Sequence, residues 1–147
     1  MLKEIIANML LVLNLENANV QLVDEKDLCV MIANNDQDIV RACEAESIDK
    51  RGWGPLGLTI GRNAYVADHL NYYKLINQSV IFHELVHIKQ QDESVIYTCI
   101  GHKEKDAYER QYDWLLVNGY EHSFEDMLKE LGINMLAYKL NIACGMF

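Results

Sequence analysis

The chain has 147 residues, 50% of them hydrophobic, with 8 glycines and 1 proline. That length and mix exclude a disordered or collagen-like chain and are enough for one domain with its own core. Its 22 acidic residues against 13 basic ones give a net charge of −9 at pH 7. Such a surface repels phosphate backbones and anionic lipid, so neither nucleic acid nor a membrane is expected as a partner.

Leu2 to Leu13 reads as a first helix. Its apolar run, Met9 to Leu13, follows Glu4 and precedes no A-x-A site. It is too short for a signal core or a membrane span. Val20 to Val23 is a short strand candidate, and Leu28 to Ala33 is an apolar run that ends at Asn34-Asn35. Periodicity leaves that run open between strand and helix. Asp38 to Glu46 fits a short helix. Gly52-Trp53-Gly54-Pro55-Leu56-Gly57 spells G-x-G-x-x-G. A dinucleotide site needs a strand before the glycines and a helix opening at them. Here Pro55 lies inside and a strand-like stretch follows, so the segment reads as a turn-rich loop.

Leu56 to Ile60 and Ala64 to Ala67, around Gly61-Arg62-Asn63, predict a hairpin. The pattern beyond it is helical. Asn77 is placed to cap a helix over about Gln78 to Gln91, with Ile81, Leu85 and Ile88 as its apolar stripe. His102 to Asn118 forms a second helix closed by Gly119. Ser123 with Asp126 starts a third, closed by Gly132, and Asn134 to Ala143 forms a fourth. Helix, small sheet, then helices is an α+β order. One domain over 1–147 is expected, with 1–51 the least defined part, 52–118 its core and 119–147 the closing helices.

Cys29, Cys43, Cys99 and Cys144 are scattered, with no C-x-x-C pair. A chain of this length does not need staples, so buried, reduced thiols are expected; with neither a signal core nor a membrane span read at Met9 to Leu13, a cytoplasmic location is expected as well. His69 and His122 have no motif around them and read as surface residues, while Trp53 and Trp114 read as core or loop anchors.

His83-Glu84-Leu85-Val86-His87 is H-E-x-x-H inside the first of the later helices. Residues four apart on a helix lie about 40° apart and about 6 Å along the axis, so both imidazoles leave one face and reach one ion. Zinc takes neutral imidazole nitrogen in tetrahedral geometry. Glu84, next to the first ligand, is then placed as general base for a metal-activated water. The competing reading is two surface histidines. Against it stand the periodic helix around the motif, the strand pair before it, and the apolar Leu85 and Val86 within it.

A third protein ligand is needed. The H-E-x-x-H-x-x-G-x-x-H arrangement would require Gly at 90 and His at 93, where this chain has Gln90 and Glu93. A later helix offers Glu104, 17 residues after His87, on a face shared with Ala107, Tyr108, Gln111 and Leu115. The small Ala107 lets two helices approach closely. Glu104 is favoured over its alternative role as a helix N-terminal acid. Asp106 and Glu109 stand as fallbacks, ahead of His102 and Glu93. A donor for an oxyanion would come from Tyr97, His102, Tyr108 or Tyr112.

His83 to His87 together with Glu104-Lys105-Asp106-Ala107 resembles the gluzincin type of zinc metallopeptidase. The likeness is to its small single-domain members, the minigluzincins, and to the ImmA/IrrE-type peptidases of bacteria and their mobile elements. The string from His83 to Gln91 also resembles a group of bacterial peptidases carrying H-E-L-x-H-x-x-Q-Q. The likeness covers about Leu56 to Leu116. It implies a small zincin-like fold with a short sheet beside the active-site helix. It also implies one zinc ion held by His83, His87 and Glu104, Glu84 as general base, and a peptide or protein substrate. Tyr108 stands where such proteins commonly carry an acid or Asn that orients the first histidine. Asp106 or Glu109 would have to substitute. The alternative function is a zinc-binding regulatory or partner-binding domain without turnover; a plain helical interaction domain is the third.

Overall fold

The computed structural model describes residues 1–44 and 56–144. In chain order it contains α1 (Leu2–Val12), β1 (Asn19–Val23), α2 (Glu25–Ala33), α3 (Gln37–Glu44), β2 (Gly57–Ile60) and β3 (Asn63–Ala67). The helices α4 (Leu75–Glu93), α5 (Ile100–Val117), α6 (Phe124–Glu130) and α7 (Met135–Ile142) follow. This is the small α+β domain expected. Residues 52–55 of the glycine-rich loop, Trp53 among them, and the end of the helix expected to reach Glu46 lie outside the described residues. Among the described residues no helix is long and apolar enough to cross a membrane.

The ambiguous run at 28–33 is helical because both of its ends are capped. Asp24 Oδ1 accepts from the Asp27 N–H at 3.0 Å, and Asn34 closes the helix in the left-handed region at φ 48°. The sheet has the order β1-β3-β2. β2 and β3 form the expected antiparallel hairpin, with Gly57 opposite Val66 and Ile60 opposite Asn63. β1 runs parallel to β3, with Asn19 opposite Asn63 and Val23 opposite Ala67. A parallel pair requires a crossover, and the chain between β1 and β2 carries α2 and α3. Central β3 buries Ala64, Val66 and Ala67, and β2 is left as an edge.

α4 begins at Leu75, three residues before the expected start. Lys74 is its N-cap, so Asn77 is not the cap; Asn77 lies in the first turn and donates from Nδ2 to the Asn71 carbonyl at 2.9 Å. Every residue from Ser79 to Ile88 is buried. A helix buried all round must be covered on several sides. Here β2 and β3 lie on one side, α5 on another, and α1 also packs on it. Ile81, Leu85 and Ile88 join Met9, Leu115, Met127 and Leu128 in the core. Trp114, one of the expected anchors, stacks on Phe82 with ring centroids 5.4 Å apart.

The helix ends after α4 follow their expected signals. Gly119 and Gly132 have φ of 97° and 75°, and Ser123 and Asn134 cap α6 and α7 by accepting from the Asp126 and Ala137 N–H groups. The cysteines depart from expectation. Cys29 bonds to Cys43, and Cys99 to Cys144, leaving no free thiol among the described residues. Only Cys43 is buried; the other three are half-buried. No spacing marks these pairs in the sequence, because the packing of α2 on α3 and of α5 on α7 is what brings them together.

Candidate metal centre

His83 and His87 leave α4 on one face, with ring centroids 4.9 Å apart. Across from them α5 presents Glu104. Its Oε2 lies 3.0 Å from His83 Nε2 and its Oε1 lies 2.8 Å from His87 Nε2. Ala107, on the same helix as Glu104, is fully buried in the core. A tetrahedral zinc ion bonded at about 2.0–2.1 Å holds its ligand atoms roughly 3.3–3.4 Å apart. Each imidazole nitrogen lies within about half an ångström of that spacing from a Glu104 oxygen. The donor set of two imidazoles and one carboxylate suits that metal.

The outer ring nitrogens are also committed. His83 Nδ1 is 2.8 Å from Gln111 Oε1, and His87 Nδ1 is 2.8 Å from Gln90 Oε1. An amide oxygen only accepts, so each Nδ1 carries a proton, and each Nε2 is aimed at Glu104: it donates to the carboxylate without a metal and offers its lone pair once a metal displaces that proton. The amides are themselves held. Gln111 Nε2 donates to Ser79 Oγ at 2.8 Å, and Gln90 Nε2 donates to the Lys103 carbonyl at 3.0 Å and to Asp106 Oδ2 at 2.9 Å. Asp106 also accepts from Tyr97 and Arg110. It thus supports His87 through Gln90 and does not reach the ligand position. Gln111 takes the orienting place for His83 that the resemblance left open at Tyr108. Glu109 and Glu93 pair with Lys105 and Arg110.

Glu84 is 6% exposed. The Thr59 hydroxyl lies 2.9 Å from the Glu84 carbonyl and 3.1 Å from its Oε1, so its single proton serves one at a time. On the other side stands Gly57, where a Cβ would come within 2.7 Å of Glu84 Cγ. Burial pushes the Glu84 carboxyl above its ordinary value and the Glu104 charge adds to this, against the pull of His83, His87 and Thr59. For Glu104, burial acts upward too, but the hydrogen bonds from both histidines outweigh it and hold the carboxyl well below the usual range. Burial would lower His87; its hydrogen bond to Glu104 and the Glu84 charge outweigh that and raise it.

These groups form the floor of a cavity of about 450 Å³. Leu56 and residues 57–59 of the edge strand line it, as do residues 131–133. Of the four expected oxyanion donors, Tyr108 alone lines this cavity, its ring 4.4 Å from that of His83. Burial raises its hydroxyl above the ordinary tyrosine value, and the charges of Glu104 and Glu84 raise it further. Tyr97 donates to Asp106 at 3.0 Å and Tyr112 to the His122 carbonyl at 3.0 Å, both outside the cavity. His102 lies beside Cys99 and Cys144. His69 and His122 are exposed, as expected.

Gln111, Gln90, Thr59 and Gly57 were not among the expected site residues. Gln90 had a visible signal, three residues after His87 on the same helix, and Gln111 shared a helical face with Glu104. Thr59 and Gly57 had none. A family model described as a domain of unknown function (DUF6647) matches residues 65–134. That stretch contains His83, Glu84, His87, Glu104 and Gln111, and omits β2. No curated protein and no solved structure matches the chain.

Proposed function

We propose that the protein is a zinc-dependent metallopeptidase, with one zinc ion held by His83, His87 and Glu104. The observation that carries this reading is the convergence of both Nε2 atoms on the Glu104 carboxylate, with the buried Glu84 carboxylate beside them on the floor of one cavity. A zinc ion there supplies Lewis acidity, polarising a carbonyl and lowering the pKa of water. Glu84 takes the proton of the attacking water and delivers it to the leaving amine. Burial, which raises this carboxyl above its ordinary value, makes it a better base than an exposed glutamate. Tyr108, whose hydroxyl keeps its proton at neutral pH, donates to the oxygen on which negative charge develops.

A zinc domain without turnover would need the same three ligands. It would not need a carboxylate kept buried between Thr59 and the bare Cα of Gly57, facing a cavity large enough for a substrate side chain. That placement favours catalysis, with a peptide as substrate. The cytoplasmic location expected from the sequence rests on the lack of a signal core and a membrane span. Two disulfides weigh toward an oxidising compartment, because such bonds are rare in the cytosol.

The test is Glu84→Gln, with zinc content and hydrolysis of a mixed peptide library read by mass spectrometry. The variant is expected to bind one zinc per chain and to lose hydrolysis, while His83→Ala loses the zinc. Full hydrolysis by a verified Glu84→Gln protein would overturn the mechanism. A wild-type chain that holds less than about a tenth of an equivalent of zinc after loading would overturn the metal site.

A further inference from the structure

A second group of metal-ligating side chains lies away from the cavity. Cys99, His102 and Cys144 offer two sulfurs and an imidazole nitrogen, all within 4.8 Å of one another. Cys99 is the N-cap of α5, and His102 follows one turn later, its N–H donating to the Cys99 carbonyl at 3.1 Å. Cys144 arrives from the end of α7, where the chain turns back at φ 56°. In the structure the two sulfurs are bonded, with Cα atoms 5.8 Å apart.

The backbone brings these residues together without relying on that bond. Gly101, between Cys99 and His102, is buried against α7: a Cβ there would overlap the Asn141 carbonyl. Tyr138 of α7 also packs on Tyr108 of α5, with ring centroids 5.8 Å apart. Opening the sulfur–sulfur bond removes neither of these contacts. Two thiolates on zinc at about 2.3 Å stand roughly 3.8 Å apart. A pair of cysteines with Cα atoms 5.8 Å apart reaches that spacing by side-chain rotation.

We propose that in the reduced protein Cys99, His102 and Cys144 form a second zinc site, which replaces the disulfide as the link between α5 and α7. A dithiol reductant passes two electrons and two protons to the disulfide. The sulfur–sulfur bond breaks, both cysteines become thiols, and the dithiol closes to its own disulfide. Zinc then binds the two sulfurs and the His102 imidazole, and the two thiol protons leave to solvent. Soft thiolates with imidazole select zinc over magnesium or calcium. The same junction is thus closed under oxidising conditions by sulfur–sulfur and under reducing conditions by sulfur–zinc–sulfur. Glu104 stands two residues beyond His102 on α5, so the link steadies the helix that carries it. The proposal does not rest on peptidase activity.

The full wild-type chain, reduced with a dithiol and then moved into a phosphine under nitrogen, is alkylated with iodoacetamide with and without zinc. Each cysteine-containing peptide is followed by mass spectrometry. Zinc is expected to slow alkylation of Cys99 and Cys144 by about tenfold or more, because a ligated thiolate is not free to attack, while Cys29 and Cys43 react as before. His102→Ala is expected to lose most of that protection. Unprotected Cys99 and Cys144, equal protection of all four cysteines, or protection that persists undiminished in His102→Ala would each overturn the proposal. Cobalt in place of zinc gives a second readout. The reduced chain is expected to show a sulfur-to-cobalt charge-transfer band, which a site of histidine and glutamate alone cannot produce, and absence of the band overturns it as well.

Discussion

Gly57 on the edge strand and Glu84 on α4 are in contact across 27 residues of sequence, with no room for a side chain at 57: a Cβ would stand 2.7 Å from Glu84 Cγ and 2.9 Å from its Oε2. Glu84 has little freedom to yield, being buried and held by Thr59. Gly57→Ala therefore turns the carboxylate out of its position. Zinc content is expected to stay at one per chain, since none of the three ligands moves. Hydrolysis is expected to fall by about a hundredfold, the usual result of a misplacement near 1 Å. Overpacking of this kind also costs about 1–3 kcal/mol of stability. Zinc analysis, peptide turnover and thermal denaturation of the one variant separate these effects, and unchanged turnover would remove Gly57 from the positioning of Glu84.

Gln111 joins His83 to Ser79, accepting from the first and donating to the second. Gln111→Leu keeps much of the volume and removes both bonds. His83 then loses the acceptor that fixes its ring and tautomer. Loss of such a partner typically weakens metal affinity by about 10–100-fold. Competition against a chelator of known affinity measures this. Gln111→Glu keeps an acceptor and is expected to hold zinc far better than the leucine variant. Equal affinity in both would assign Gln111 to packing alone.

The parts of this centre that were readable from the sequence are those set by helical spacing. His83 and His87 are one helical turn apart, and Glu104 shares a face of the next helix with the small Ala107. Gly57, Thr59 and the cysteine pairs depend on which elements meet in three dimensions, and local periodicity is silent about that. The same holds for the parallel pairing of β1 with β3, which a crossover makes and no turn signal announces. α4 starts earlier than Asn77 signals for a local reason. A turn from Asn71 to Lys74, with the Lys74 N–H on the Asn71 carbonyl at 3.1 Å, starts the helix early, and the amide of Asn77 turns back to that carbonyl instead of capping.

Tyr108 is the one candidate donor that faces the cavity, and its hydroxyl keeps its proton at neutral pH. Tyr108→Phe removes the hydroxyl and leaves the ring against His83 and Tyr138. If the hydroxyl stabilises developing negative charge, kcat is expected to fall by about 10²–10³-fold with little change in KM. Zinc affinity and melting temperature should match the wild type. A rise in KM alone would make Tyr108 a substrate-binding residue, and a loss of zinc would make its ring a support for His83.

The two disulfides close loops of different length, separated by 14 residues for Cys29–Cys43 and 45 for Cys99–Cys144. The entropy that a cross-link removes from the unfolded chain grows with the logarithm of that length, which gives about 3 kcal/mol for the shorter loop and about 4 kcal/mol for the longer. With a chelator present, so that no metal replaces either link, Cys99→Ser/Cys144→Ser is expected to lose more stability than Cys29→Ser/Cys43→Ser. The losses also differ in place. The longer link ties the start of α5 to the end of α7, and Tyr138 on α7 packs against Tyr108, which lies on His83. The shorter one ties α2 to α3, away from the cavity. Urea unfolding of the two double variants ranks the losses, and chelator competition then shows whether zinc affinity follows the longer link only. Equal loss of affinity in both variants would mean that the centre responds to global stability and not to the α5–α7 junction.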